Sequence, residues 1–199
     1  MMIEEKIYNI NEVISFAKIT GEWGRFSNMF YNALFVNETF IPSVEALYQS
    51  CKYPLYPEIQ KEIISQDNAM KAKHISRKYS EFQRQDWDTV RYSIMRWSLM
   101  VKLIQDWDEF APLLLKTRGY QIVEYSVKDD DWGAVPYGTS NLKGKNVLGR
   151  LLTDIRDEFV IPANKPQFIP PLQISSFQLY GTNIGRVYPS EYYDDFLMD

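Results

Sequence analysis

The stretch Asp86–Gln105, DWDTVRYSIMRWSLMVKLIQ, places apolar side chains at Trp87, Val90, Ile94, Met95, Val101 and Ile104. Steps of three and four residues keep such side chains on one face of a helix, so the spacing predicts a long helix at the centre of the core. Just upstream, two shorter helical segments are expected. The second carries Lys71, Lys73, His74, Arg77 and Lys78, a basic cluster that reads either as a phosphate-holding face or as a solvated one. Further upstream, Pro42–Tyr53 (PSVEALYQSCKY) reads as a helix start with Ser43 as N-cap and with Val44, Leu47 and Cys51 on an apolar face. At about 3.6 residues per turn, Glu45, Gln49 and Lys52 then fall on one polar stripe and project into the same space. Pro54 and Pro57 end that helix.

Before it, the apolar runs between Phe30 and Ile41 flank Asn37-Glu38 and read as a β-hairpin. Gly21–Asn28 (GEWGRFSN) has the composition of an irregular loop, and residues 1–20 fit an edge strand or short helix. Downstream, Pro112 is expected to open a short helix. Gln121–Tyr125 reads as a strand delivering the loop Asp129-Asp130-Asp131-Trp132-Gly133, and Gly144-Lys145-Asn146 reads as a turn. Leu148, Leu151, Leu152, Ile155 and Phe159 mark a last amphipathic helix. The expected fold is α+β and predominantly helical: a single domain over residues 1–160 with small β elements, followed by a C-terminal extension. That extension, residues 161–199, holds Pro162, Pro166, Pro170, Pro171 and Pro189, half of the chain's 10 prolines. It is expected to pack on the domain or to bind a partner protein.

Composition narrows the chemistry. A chain of 199 residues can bury a sizeable core. Its net charge of -4 disfavours nonspecific nucleic-acid binding and anionic membranes, so phosphate recognition would have to come from a local patch. One cysteine, Cys51, excludes an internal disulfide and points to a reducing compartment. The acidic start MMIEEK lacks the bases of a secretory signal, and no apolar run approaches the roughly 20 residues that span a bilayer. A cytoplasmic location is expected. A single histidine, His74, rules out a multi-His zinc site, and Asp129–Asp131 lacks the ligand spacing of an EF-hand, so no metal and no cofactor are expected.

Four segments taken together resemble the NADAR (YbiA-like) family: Gly24–Asn28 (GRFSN), Pro42–Tyr53, Trp87–Met95 (WDTVRYSIM), and Ile122–Gly149 with its Trp132-Gly133 and GKNVLG. The resemblance spans residues 21–159 and implies a YbiA-like domain that hydrolyses an N-glycosidic bond. Relatives act on a ribosylamino-pyrimidine phosphate of riboflavin biosynthesis or on ADP-ribose attached to guanine. It further implies functional roles for Glu45, Asp129, Trp87 and Trp132. The chain differs from that pattern in Arg25, in a longer stretch between Gly133 and Gly144, and in the region after Phe159.

Breaking a ribose C1′–nitrogen bond builds positive charge on the sugar and negative charge on the departing base. Glu45 and Asp129 are the expected catalytic carboxylates. Phe26, Trp87 and Trp132 offer rings for the base, Arg25, Lys52 and Lys145 offer charge for phosphates, and Asn28, Gln49 and Asn146 complete the expected substrate-binding set. Each residue also has a structural reading: Glu45 as a first-turn acid favoured by the helix dipole, Trp87 as core, and the aspartates as a solvated loop. A non-catalytic module binding ADP-ribose or a nucleotide is the alternative function. In either case the expected partner is a small nucleotide-like molecule or an ADP-ribosylated base.

Overall fold

A computed structural model describes residues 3–197. In chain order its strands and helices are β1 (Lys6–Asn9), β2 (Val13–Phe16), β3 (Tyr31–Val36), β4 (Thr39–Ser43), α1 (Val44–Ser50), α2 (Pro57–Ile64), α3 (Ala69–Lys78), α4 (Trp87–Gln105) and α5 (Trp107–Leu115). There follow β5 (Gln121–Glu124), β6 (Val135–Tyr137), β7 (Asn141–Gly144), α6 (Val147–Ile155), β8 (Gln178–Leu179) and β9 (Thr182–Asn183). The fold is α+β with helix dominant. Packing sorts it into two compact units, one joining the segment up to Ser27 with Asp108–Lys165, the other joining Asn28–Trp107 with the segment from Pro166 onward.

In the first unit β1, β7 and β6 form an antiparallel sheet in that order, while β2 pairs parallel with β5. Tyr8, Val123, Ala134 and Leu142 gather into a buried cluster, with Val13 and Tyr125 packed against it. The stretch between Gly133 and Gly144, unassigned from sequence, is the β6–β7 hairpin, turning through Gly138 at φ 70°. Pro112 does not open a helix but lies inside α5. Burial of Phe110, Ala111 and Leu114 holds that helix together despite the N–H that proline lacks. The last helix forms as the spacing predicts and continues beyond Ile155 as a π-helical turn, Arg156–Val160.

In the second unit β3 and β4 form the expected hairpin, with Asn37 at φ 48° and Glu38 at φ 59°, the left-handed pair required by a tight turn that matches strand twist. Pro42 belongs to β4 rather than to a helix start, and the chain passes straight from strand to helix at Ser43. Every residue of α1 is buried, not only the Val44–Leu47 face, because α2, α3, α4 and β4 all pack around this short helix. The polar side chains of α1 therefore require partners inside the protein.

Candidate active site

Two hydrogen bonds fix the first turn of α1. The Ala46 N–H donates to Ser43 Oγ at 3.1 Å, and the Glu45 N–H donates to the Asn28 carbonyl at 2.8 Å. These satisfy backbone donors that a helix start leaves unpaired. Glu45 is thereby set on the polar stripe with Gln49 one turn later, and its side chain is 2% exposed. Gln49 Nε2 donates to Glu45 Oε1 at 2.8 Å, and Asn28 Nδ2 donates to Glu45 Oε2 at 2.5 Å. Lys73 of α3 places its ammonium 4.0 Å from Glu45 Oε1.

Lys52 continues the stripe just beyond α1. Its Nζ lies 5.1 Å from the centre of the Trp87 ring and 6.0 Å from that of Tyr48, and these two rings pack together at 4.9 Å. Burial pushes the Lys52 ammonium down to about 8, with Glu45 opposing and Lys73, Arg77 and Arg91 reinforcing that shift. The second unit thus combines a buried acceptor carboxylate, an amine that changes charge near pH 8, and three further cations. Trp87, at 6% exposure, supports this amine with its ring. Lys73 and Arg77 belong to the basic cluster seen in the sequence at a helical spacing of four. Tyr48 and Arg91 carried no sequence signal of their own.

The remaining expected site residues lie in the first unit. Phe26 is fully buried among Phe16, Phe110 and Trp23, with Trp23 stacked on it at 5.4 Å. Arg25 faces Glu109 at 3.7 Å. Asp129 Oδ1 accepts the N–H groups of Asp131 and Trp132 at 3.1 and 2.9 Å, so this carboxylate shapes the loop that carries Trp132. Lys145 pairs with Asp131 at 2.9 Å, and Lys143 pairs with Glu5 at 3.0 Å. Asn146, 1% exposed, accepts the Glu124 N–H on Oδ1 and donates from Nδ2 to the Ile122 carbonyl, both at 2.9 Å, so its amide is engaged by β5. Among the described residues no group of three or more His, Cys, Asp or Glu gathers as a metal site.

The NADAR domain family matches residues 15–160. The chain belongs to this family. It is 34% identical over 164 residues to a riboflavin biosynthesis protein of Vibrio vulnificus, covering 79% of this chain and 43% of that protein, so it spans less than half of that relative's length. It is 32% identical over 149 residues to the N-glycosidase YbiA of Escherichia coli K12, covering 75% of this chain and 89% of YbiA. An N-glycosidase of Nostoc punctiforme is 30% identical over 151 residues, covering 73% of this chain and 91% of the relative. The NMR structure of E. coli YbiA superposes with a TM-score of 0.66 at 29% identity, covering 77% of this chain and 88% of YbiA. The NADAR match takes in Glu45, Gln49, Lys52, Lys73 and Trp87 and stops short of the segment that begins at Pro166. No helix among the described residues is long and apolar enough to cross a membrane.

Proposed function

We propose that this NADAR protein is an N-glycosidase hydrolysing the bond between a ribose C1′ and the nitrogen of a base. The observation that carries this reading is the buried Glu45 carboxylate, held by two amide donors and flanked by Lys52 and Lys73. As the C1′–N bond breaks, its electron pair leaves with the base nitrogen and positive charge spreads over C1′ and the ring oxygen. A carboxylate beside C1′ stabilises that charge and accepts a proton from the water that bonds to C1′. The Lys52 ammonium supplies a proton to the departing nitrogen. The products are a free base and a ribose bearing whatever phosphate the substrate carried.

The surrounding cations favour a phosphorylated substrate. Lys73, Arg77 and Arg91 each act on Lys52, and Lys73 also stands beside Glu45, in a protein of net charge -4, so this patch supplies the local attraction that the whole chain lacks. An ADP-ribosylated guanine compound and a ribosylamino-pyrimidine phosphate of riboflavin biosynthesis both meet that requirement. The similarity to a riboflavin biosynthesis protein supports the second.

Both compounds are to be incubated with the wild-type chain and with Glu45→Gln, and the products separated by chromatography. Wild type should release free base and phosphorylated sugar together, and Glu45→Gln should lose about 100- to 10,000-fold in kcat while still binding substrate. Intact compounds that bind tightly to wild type would make the protein a nucleotide-binding module instead.

A further inference from the structure

We propose that Asn28 and Gln49 are positioning residues that clamp the Glu45 carboxylate, and that their amides face this carboxylate rather than the substrate. The proposal rests on Glu45 being the catalytic carboxylate.

Three observations carry it. First, the two amides take different oxygens, Gln49 on Oε1 and Asn28 on Oε2, so neither can be replaced by a rotation of the other. Second, Asn28 holds Glu45 at both ends: its carbonyl accepts the Glu45 backbone N–H while its side chain donates to the carboxylate. Residues 17 positions apart are thereby locked as a unit, and a rearrangement of one displaces the other. Third, Gln49 Oε1 is buried and has no hydrogen-bond partner among the described residues. An amide free to choose its orientation would avoid leaving a buried acceptor unmatched. Gln49 keeps this orientation because the carboxylate demands its N–H.

A glutamate left to itself distributes over several rotamers, and catalysis falls when the reacting group is about 1 Å out of place, by up to about 100-fold. The clamp removes that freedom without contributing a group to the chemistry. A positioning role therefore predicts loss in kcat with KM little changed, whereas a substrate contact predicts a rise in KM.

Reversing the donor separates these accounts. Asn28→Asp keeps the shape but sets a second carboxyl against Glu45, and two carboxyls this close hold one proton between them. With the pair deprotonated, repulsion expels Glu45 from its position. With the proton present, an O–H can donate where the amide did. Activity of Asn28→Asp should therefore fall about 100-fold at pH 7.5 relative to wild type, recover toward acid pH, and show an unchanged KM. Gln49→Glu should behave alike at the other oxygen, and it serves as the test if Asn28→Asp fails to fold, as judged by its thermal melt.

The assay uses whichever of the two ribosylated compounds the wild-type chain cleaves, with Glu45→Gln run alongside. If Glu45→Gln is as active as wild type, or wild type cleaves neither compound, the functional reading itself fails. If Glu45→Gln is inactive but the folded clamp variants keep the wild-type pH profile, the clamp is overturned; if they lose activity through KM alone, it is overturned and the amides are substrate contacts.

Discussion

Lys52 stands between influences of opposite sign. Burial lowers its affinity for a proton, Glu45 raises it, and Lys73, Arg77 and Arg91 lower it again, leaving a value of about 8 against the usual 10.5. Between these two values the unfolded chain binds more protons at this site than the folded one, so stability contributed by Lys52 rises with pH across that window. Below about 8 both states are protonated and the full cost of burying the charge is present. Urea midpoints should therefore climb from pH 8 toward 10.5 in wild type, whereas Lys52→Met should lack this climb and be the more stable protein at pH 7. The catalytic consequence is separate: if the ammonium protonates the leaving base, kcat falls above about pH 8, and Lys52→Met is slow at every pH without that alkaline limb. A pH–rate profile of both proteins checks it. Glu45, Gln49 and Lys52 were legible in the sequence because helical spacing alone puts them on one stripe. Asn28 and Lys73 reach the same carboxylate from distant segments, and no local pattern encodes such an approach.

At the scale of elements, the motif GKNVLG shows how a recognisable sequence can serve the fold. Asn146 adopts φ 50° and uses its amide to complete β5, while a Cβ at Gly149 would stand 2.1 Å from the Ile122 carbonyl. Strand β5 and helix α6 are thus brought closer than any larger residue permits. Asn146→Ala leaves the buried Ile122 carbonyl and the half-buried Glu124 N–H short of a partner, a loss of about 1–3 kcal/mol for the carbonyl and less for the N–H. The expected outcome is a lower urea midpoint with unchanged KM in the folded fraction; a raised KM at unaltered stability would return Asn146 to the substrate-binding set. Gly149→Ala should destabilise at least as much, because backbone must move. The Asn37-Glu38 hairpin, the Ser43 cap and α4 were readable since their signals lie within a few residues. The β1–β7 and β2–β5 pairings join segments far apart in sequence, and the short β6 and β7 strands carry too few alternating residues to announce themselves.

At the scale of the whole molecule, the segment from Pro166 lies beyond the NADAR match yet is built into the second unit. Buried polar side chains of that unit reach its backbone: Gln60 donates to the Gln178 carbonyl and accepts the Tyr180 N–H, Arg84 donates to Ser175, Trp97 to Pro170, and Gln105 to Tyr188. Gln60 also donates to the Ser50 carbonyl at the end of α1, the helix that carries Glu45. Ile169, Phe177, Leu179, Ile184, Val187 and Tyr193 are buried, and apolar side chains of this size contribute about 1.5–3 kcal/mol each on burial. Together that is of the order of a domain's entire net stability, about 5–15 kcal/mol. A chain ending at Lys165 should therefore lose cooperative unfolding and bind a hydrophobic dye, and the proposed glycosidase activity should vanish with the fold. A truncated protein that melts cooperatively near the wild-type temperature and cleaves substrate normally, while losing capture of another protein, would instead make this segment a docking arm. That the buried side chains of Gln60, Arg84, Trp97 and Gln105 bond to the backbone of this segment favours the first outcome, because an arm held ready for a partner would leave those groups to water.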